Sequence, residues 1–332
     1  MNMAFASIRL RSFFGWMMLG VIMTLIPLSI AGAGDNAFEF VLQVLIFFAF
    51  PLLWLFYKTR KHNVRFTSFF DQPSSYSWKL ILIATAMGMV FAFGISMIQF
   101  YILAQLIPDF LVELLTEGDI IDTTSTFSKV LGVISVCIFA PIMEEVIFRG
   151  FFLNRMAYKW GIKPAIIVSS LIFGFGHIDV IGAFLFGVIM CLLYIKTKSL
   201  WTAIIVHALN NTIVTIIQFT SSGESEAINI KDFQAESNLW VGAILIIISL
   251  IWMIPFIRRH WRTVKESGLP SLRLIDGEQH ESKGSIYNRV VLTERHMAIE
   301  LPDEIVNHLQ LEENDYVDIQ LDGEKVVITK IE

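Results

Sequence analysis

The sequence is short of charge and of cysteine. Asp, Glu, Lys and Arg make up 17% of its 332 residues and hydrophobic residues 55%, with a mean hydropathy of +0.63, which excludes an ordinary soluble domain. Two cysteines, Cys137 and Cys191, both inside apolar runs, exclude a disulfide framework and read as small core residues. No internal repeat is present, which argues against the paired halves of a secondary transporter. No His-Glu-x-x-His run occurs either, so the familiar two-histidine helical zinc site is excluded. The net charge of −5 is too small to point to a partner.

What is there is a series of apolar runs. A spanning helix needs ~20 mainly apolar residues, and eight stretches qualify: roughly 13–33, 38–57, 79–107, 128–152, 164–179, 180–196, 200–219 and 239–257. Only His177 to Gly182 separate the fifth from the sixth, so a re-entrant pair or seven spans also fits. The first run exceeds a signal-peptide core and is read as a retained span.

Loop charges alternate in support. Cations lie before the first span (Arg9, Arg11) and in the second loop (Lys58, Arg60, Lys61, Arg65, Lys79). They recur in the fourth (Arg155, Lys159, Lys163), in the sixth (Lys196, Lys198) and after the eighth span (Arg258, Arg259, Arg262, Lys265). The opposite loops are acidic: Asp35 and Glu39, then Glu113, Glu117, Asp119 and Asp122, then Asp179, then Glu224, Glu226, Asp232 and Glu236. The positive-inside rule then predicts a multi-pass all-α protein of the cytoplasmic membrane with both termini in the cytoplasm.

Composition changes after Trp261, giving a membrane domain over 1–261, a polar linker over 262–288 and a soluble tail over 289–332. In the tail MAIEL reads as a strand, PDEIVNHLQL as a helix from Pro302, and YVDIQL and EKVVITKI as strands joined by Asp322-Gly323. This β-α-ββ order resembles the swapped-hairpin domain of the AbrB and MazE group, which implies a small β-rich cytoplasmic homodimer and often DNA binding. Acids outnumber Lys283, Arg289, Arg295, Lys325 and Lys330 by more than two to one, so nucleic acid is disfavoured as a partner and dimerisation or docking favoured.

Ionisable residues are absent from the interiors of spans one, two, six and eight and gather elsewhere: Glu144, Glu145 and Arg149 on span four, His177 on span five, His207 and Asn211 on span seven. A charge at mid-bilayer costs roughly 2.5–3.5 kcal/mol, so these groups face the bundle interior or a wet cavity. Counting from the nearest cations places Glu145, His177 and Asn211 at a depth of about 20 Å and His207 at about 13 Å. Glu145 and Arg149 are i and i+4 in the order that favours an ion pair. Glu144 points about 100° away with no cation at i+3 or i+4, and an unpaired carboxylate suits proton transfer. Pro141 predicts a kink that admits water just before the site. His207 and Asn211, also i and i+4, are expected to hydrogen-bond one substrate oxygen together. Gly174 and Gly176 would let span five pack closely and hold His177 near Glu144.

EEVIFR, FGFGH and HALNN fit Glu-Glu-x-x-x-Arg, Phe-x-x-x-His and His-x-x-x-Asn, in that order. Together, over roughly 80–220, they resemble the CAAX-processing and bacteriocin-processing (CPBP) family of intramembrane proteases, which includes the prenyl-protein endopeptidases. The resemblance implies Glu144 as general base, His177 holding the water, His207 and Asn211 stabilising the oxyanion, and Glu145 and Arg149 as a supporting ion pair. It implies a membrane-embedded or lipidated protein or peptide as substrate. A metal-free glutamate mechanism is favoured, with zinc on Glu144, His177 and His207 as the alternative. The rival function is a non-catalytic membrane receptor or immunity protein on a protease-like fold, signalling through its tail.

Overall fold

The computed structural model describes residues 8–31, 44–73, 77–117, 126–221 and 229–270, with 290–292, 297–299, 306, 310–311, 317–322 and 325–330 of the tail. The chain divides into two units, Met1–Ile275 and Asp276–Glu332.

The described residues of the first unit are helical. The helices are α1 (Leu10–Ala31), α2 (Phe50–Lys61), α3 (Trp78–Leu106), α4 (Pro108–Glu117), α5 (Thr126–Trp160), α6 (Ile162–Phe175), α7 (Val180–Thr197), α8 (Leu200–Ser221), α9 (Ile230–Phe233) and α10 (Glu236–Ser267). Five of the eight expected spans coincide with helices long and apolar enough to cross a bilayer: α3, α5, α7, α8 and α10. The first and fifth fall on shorter apolar stretches, Leu10–Ile26 and Ile162–Phe175. The second falls on α2 and the π-helical turn Leu45–Ala49 before it, while 38–43 lie outside the described residues.

Several expected boundaries move. The fifth span stops at Phe175 instead of 179, and α6 is about 21 Å long, against about 30 Å for a hydrocarbon core. Arg155 and Lys159 belong to α5, not to a loop, since the helix runs on to Trp160. Helix α10 likewise passes the composition break at Trp261 and reaches Ser267, because Arg, Lys and Glu are good helix formers once outside the apolar layer. The polar linker therefore starts later than 262, and 271–288 lie outside the described residues, as do Asp35, Glu39, Asp119, Asp122, Glu224 and Glu226.

Helix α5 is interrupted where the site lies. Its hydrogen bonding widens to π-helical over Ser135–Phe139, returns to α-helical over Ala140–Glu145, and widens again over Val146–Leu153. Pro141 lies inside the continuous α5, directly after the first π segment, where its missing N–H removes one helical hydrogen bond, and π turns stand where the kink is expected. Asn154 closes the second interruption, its Nδ2 donating to the carbonyls of Arg149 and Gly150 at 3.0 and 2.9 Å.

Close approach depends on glycine at particular crossings. At α3 and α10, a Cβ on Gly94 would stand 2.8 Å from the Gly242 oxygen, and one on Gly242 2.7 Å from the Gly94 oxygen. At α6 and α7, a Cβ on Gly187 would meet Ser170 at 3.0 Å, and one on Gly174 the Val180 oxygen at 2.8 Å. Gly176, expected to share the role of Gly174, has room for a side chain: its Cβ would meet only the Phe173 oxygen, at 3.4 Å. At one end of the bundle, Phe13, Trp54, Phe151 and Phe152 form an edge-to-face cluster that ties α1 and α2 to α5.

In the tail, β1 (Val290–Leu292) pairs antiparallel with β2 (Met297–Ile299), and β3 (Val317–Asp322) with β4 (Lys325–Lys330). The first of these pairs is not anticipated by the sequence reading. Asp322 pairs with Lys325, so the two residues between the strands are Gly323 and Glu324, one position beyond the expected Asp322-Gly323. The expected helix from Pro302 falls almost wholly outside the described residues, and the described strands form two separate ladders, not one β-α-ββ unit.

Gly94→Ala should destabilise the detergent-solubilised protein by roughly 1–3 kcal/mol through overpacking. Gly15→Ala, where nothing lies within 4 Å, is the control. Equal thermal unfolding of the two variants would refute the α3–α10 contact.

Candidate active site

Adjacent positions on α5 send Glu144 and Glu145 to different surroundings. Glu145 is fully buried and its Oε1 accepts from Arg149 Nη1 at 2.8 Å, the ion pair expected from the i, i+4 spacing. The same oxygen lies 2.9 Å from His207 Nδ1. Sequence reading misses this second contact, because it joins α5 to α8 across 62 residues of chain and no local spacing announces it. Arg149 is itself fully buried; Nη2 donates to the Gly187 carbonyl at 3.3 Å, and the guanidinium lies 4.6 Å from the centre of the Phe173 ring. A glycine at 187 lets α7 come close enough to offer that carbonyl.

Glu144, with a side chain 31% exposed, meets the two histidines. Its Oε2 lies 3.9 Å from His177 Nε2 and 3.8 Å from His207 Nε2, and has no direct hydrogen-bond partner. The depth count put His207 shallower than Glu145, yet its Nε2 stands 3.8 Å from the Glu144 carboxylate. Spacings of this size are too long for direct hydrogen bonds and suit an intervening water.

The outer nitrogens of both rings are spoken for. His177 follows the last turn of α6, and its Nδ1 donates to the Phe173 carbonyl at 2.8 Å, a carbonyl that also accepts from Gly176 N at 3.2 Å. Phe173 therefore has three tasks, which explain the Phe-x-x-x-His spacing: its carbonyl orients His177, one ring face lies against His177 at 4.4 Å, and the ring also meets Arg149. The edge of Phe186 packs on His207 at 5.2 Å. Because a carbonyl and a carboxylate accept at the two Nδ1 atoms, both Nε2 atoms face Glu144.

The turn carrying His177 is held from the side by α3. Gln99 Nε2 donates to the Ile178 carbonyl at 3.1 Å, and Asp179, which caps α7 by accepting from Gly182 N at 2.8 Å, also bonds the Ser96 side chain. Burial raises the Asp179 carboxyl above the usual carboxylate range, opposed by the Gly182 N–H, His177 and Ser96. Ser96 and Gln99 have no role in the sequence reading, and Asp179 enters it only as a loop acid; an aspartate three residues before a glycine at a helix start was the available signal for the cap.

Asn211 departs from expectation. Its Nδ2 donates to the Val136 carbonyl at 2.9 Å, a group of the first π segment, so one of its two N–H bonds is engaged within the protein. Each of the two residues is thus anchored through one contact: His207 is held at Nδ1 and presents Nε2, and Asn211 is held on α5 and keeps its second N–H.

For zinc, the donor chemistry is suitable: a carboxylate and two imidazoles whose other nitrogens are held by acceptors. The spacing is not. Ligand atoms about 2.1 Å from a tetrahedral zinc stand about 3.4 Å apart, less than the 3.8 and 3.9 Å found, and no three His, Cys, Asp or Glu among the described residues are placed to hold a metal.

Residues 126–213, which carry Glu144, Glu145, Arg149, His177, His207 and Asn211, match the family model described as Type II CAAX prenyl endopeptidase Rce1-like. Over 91 residues the chain is 36% identical to the protein named "Putative membrane peptidase YdiL" of Bacillus subtilis (strain 168). That stretch is 26% of this chain and 37% of the relative, so the match spans little more than a third of the relative's length. No solved structure matches the chain.

Glu145→Gln should lower stability by about 3–5 kcal/mol, since it strands a buried guanidinium. Adding Arg149→Met should recover much of that loss, because removing both charges leaves none uncompensated. Thermal unfolding of the two variants checks this, and a double variant no more stable than Glu145→Gln would refute it.

Proposed function

We propose that the chain is an intramembrane endopeptidase that hydrolyses peptide bonds of membrane-associated or prenylated proteins or peptides. The observation that carries this reading is Glu144: a carboxylate oxygen without a direct partner, facing two oriented imidazoles, within a stretch similar to CAAX prenyl endopeptidases.

In this mechanism a water lies between Glu144 Oε2 and His177 Nε2, donating one proton to each. Glu144 takes a proton as the water oxygen bonds to the scissile carbonyl carbon. The oxyanion that forms accepts from His207, which supplies an Nε2–H in its doubly protonated form, and from the second N–H of Asn211. One such donor is worth about 2.7–4 kcal/mol in soluble hydrolases. Glu145 Oε1 accepts from both Arg149 and His207 and so fixes the His207 ring. Glu144 then passes its proton to the departing amine nitrogen as the C–N bond breaks, leaving a carboxylic acid, which keeps the second proton of the water, and a free amine. No step is derived through a metal.

Loop charges support a multi-pass protein of the cytoplasmic membrane with both termini cytoplasmic. The tail over 289–332 joins two copies, in keeping with its likeness to swapped-hairpin dimers and its excess of acids.

Glu144→Gln should abolish cleavage of membrane peptides, by a factor of at least ~10³, while leaving expression and melting temperature unchanged. Chelators should leave the wild type active. Undiminished cleavage by Glu144→Gln would end the assignment, and stoichiometric zinc whose removal and return switch activity off and on would recast His177 and His207 as ligands. For the tail, light scattering in detergent should give a dimer for the full chain and a monomer for a chain ending at Ile275. Equal assembly of the two would remove the tail from that role.

A further inference from the structure

At the end of the bundle where α1 begins and α5 ends, Arg9, Arg11, Arg155 and Lys159 line one cavity of about 350 Å³. Leu10 and Met156 form its apolar part, and Trp160, 46% exposed, stands at its edge. No carboxylate lines the cavity, and among the described residues none of the four cations has a carboxylate partner.

The positive-inside rule places cations at one end of a bundle, but it does not gather them around a concavity. Here the gathering is built. Arg155, half buried on α5, donates from Nε to the Ile8 carbonyl, which fixes the chain entering α1 against α5 and brings Arg9 and Arg11 opposite Lys159. Four like charges converging from segments 147 residues apart repel one another unless an anion lies between them. An indole at the cavity's edge is typical of a membrane–water boundary.

We infer that this cavity holds the phosphate of an anionic phospholipid headgroup. The guanidinium groups supply paired N–H donors for phosphate oxygens and Lys159 a point charge. Trp160, Leu10 and Met156 meet the glycerol and the start of the acyl chains. Basic pockets between helices at a membrane face are a recognised mode of headgroup binding. The site is remote from Glu144 and does not rest on the peptidase reading.

Native mass spectrometry of the full chain, released from bilayers of mixed phosphatidylglycerol and phosphatidylcholine, tests the inference. One phosphatidylglycerol should be retained in preference to phosphatidylcholine, and Arg11→Gln with Lys159→Gln should weaken retention roughly 30-fold, at about tenfold or less per cation removed. Both side chains are exposed, and unchanged thermal unfolding certifies the fold. Lys163→Gln with Arg262→Gln, at the same end but outside the cavity, should leave retention unchanged. Equal retention of the two lipids, or equal loss in both double variants, would overturn the inference. Displacement of the lipid by millimolar inorganic phosphate would overturn the lipid as occupant.

Discussion

Everything at the centre of this bundle depends on one carboxylate oxygen. Glu145 Oε1 is shared between the Arg149 guanidinium and the His207 ring, and through them it couples α5 to α8, while Arg149 reaches on to α7. Neither charge is tolerable there alone, since a lone ion in a low-dielectric interior costs several kcal/mol. Together they form a group that is nearly neutral yet fixed in direction. A directed histidine is what this arrangement yields, and direction is what a water-activating site needs.

The widened turns of α5 serve the same end. A regular helix would set Glu144 and Glu145 on a smoothly turning surface and leave every carbonyl committed. With π turns on both sides of 140–145, carbonyls become available to side chains: Val136 to Asn211, Arg149 and Gly150 to Asn154. The segment bearing the two glutamates is thereby tied to α8 at one end and stitched closed at the other. Interrupted helices of this kind recur at functional sites because they aim side chains where uniform geometry cannot.

Much of this was legible in the chain. The Glu145–Arg149 pair followed from i, i+4 spacing, and the gathering of Glu144, His177 and His207 followed from their rarity among apolar runs. What was hidden involves partners far apart in sequence. The Glu145–His207 contact, the Gln99 hold on Ile178 and the Gly94–Gly242 crossing each join segments separated by scores of residues, and periodicity within one helix carries no information about them. Helix ends were misplaced at Trp160 and Ser267 for a related reason. Hydropathy marks where the apolar layer ends, whereas a helix continues for as long as its residues favour it. Phe173 was visible as a motif letter, and only its surroundings reveal why an aromatic is needed there.

One feature of the fold bears on how water could reach the proposed site. Helix α6 is about 9 Å shorter than the hydrocarbon it would have to cross, and it ends at the turn that carries His177. A bilayer can answer such a mismatch by thinning locally. Thinning there would draw the lipid surface toward the histidine and Glu144, and would bring solvent to the carboxylate without a channel through the bundle.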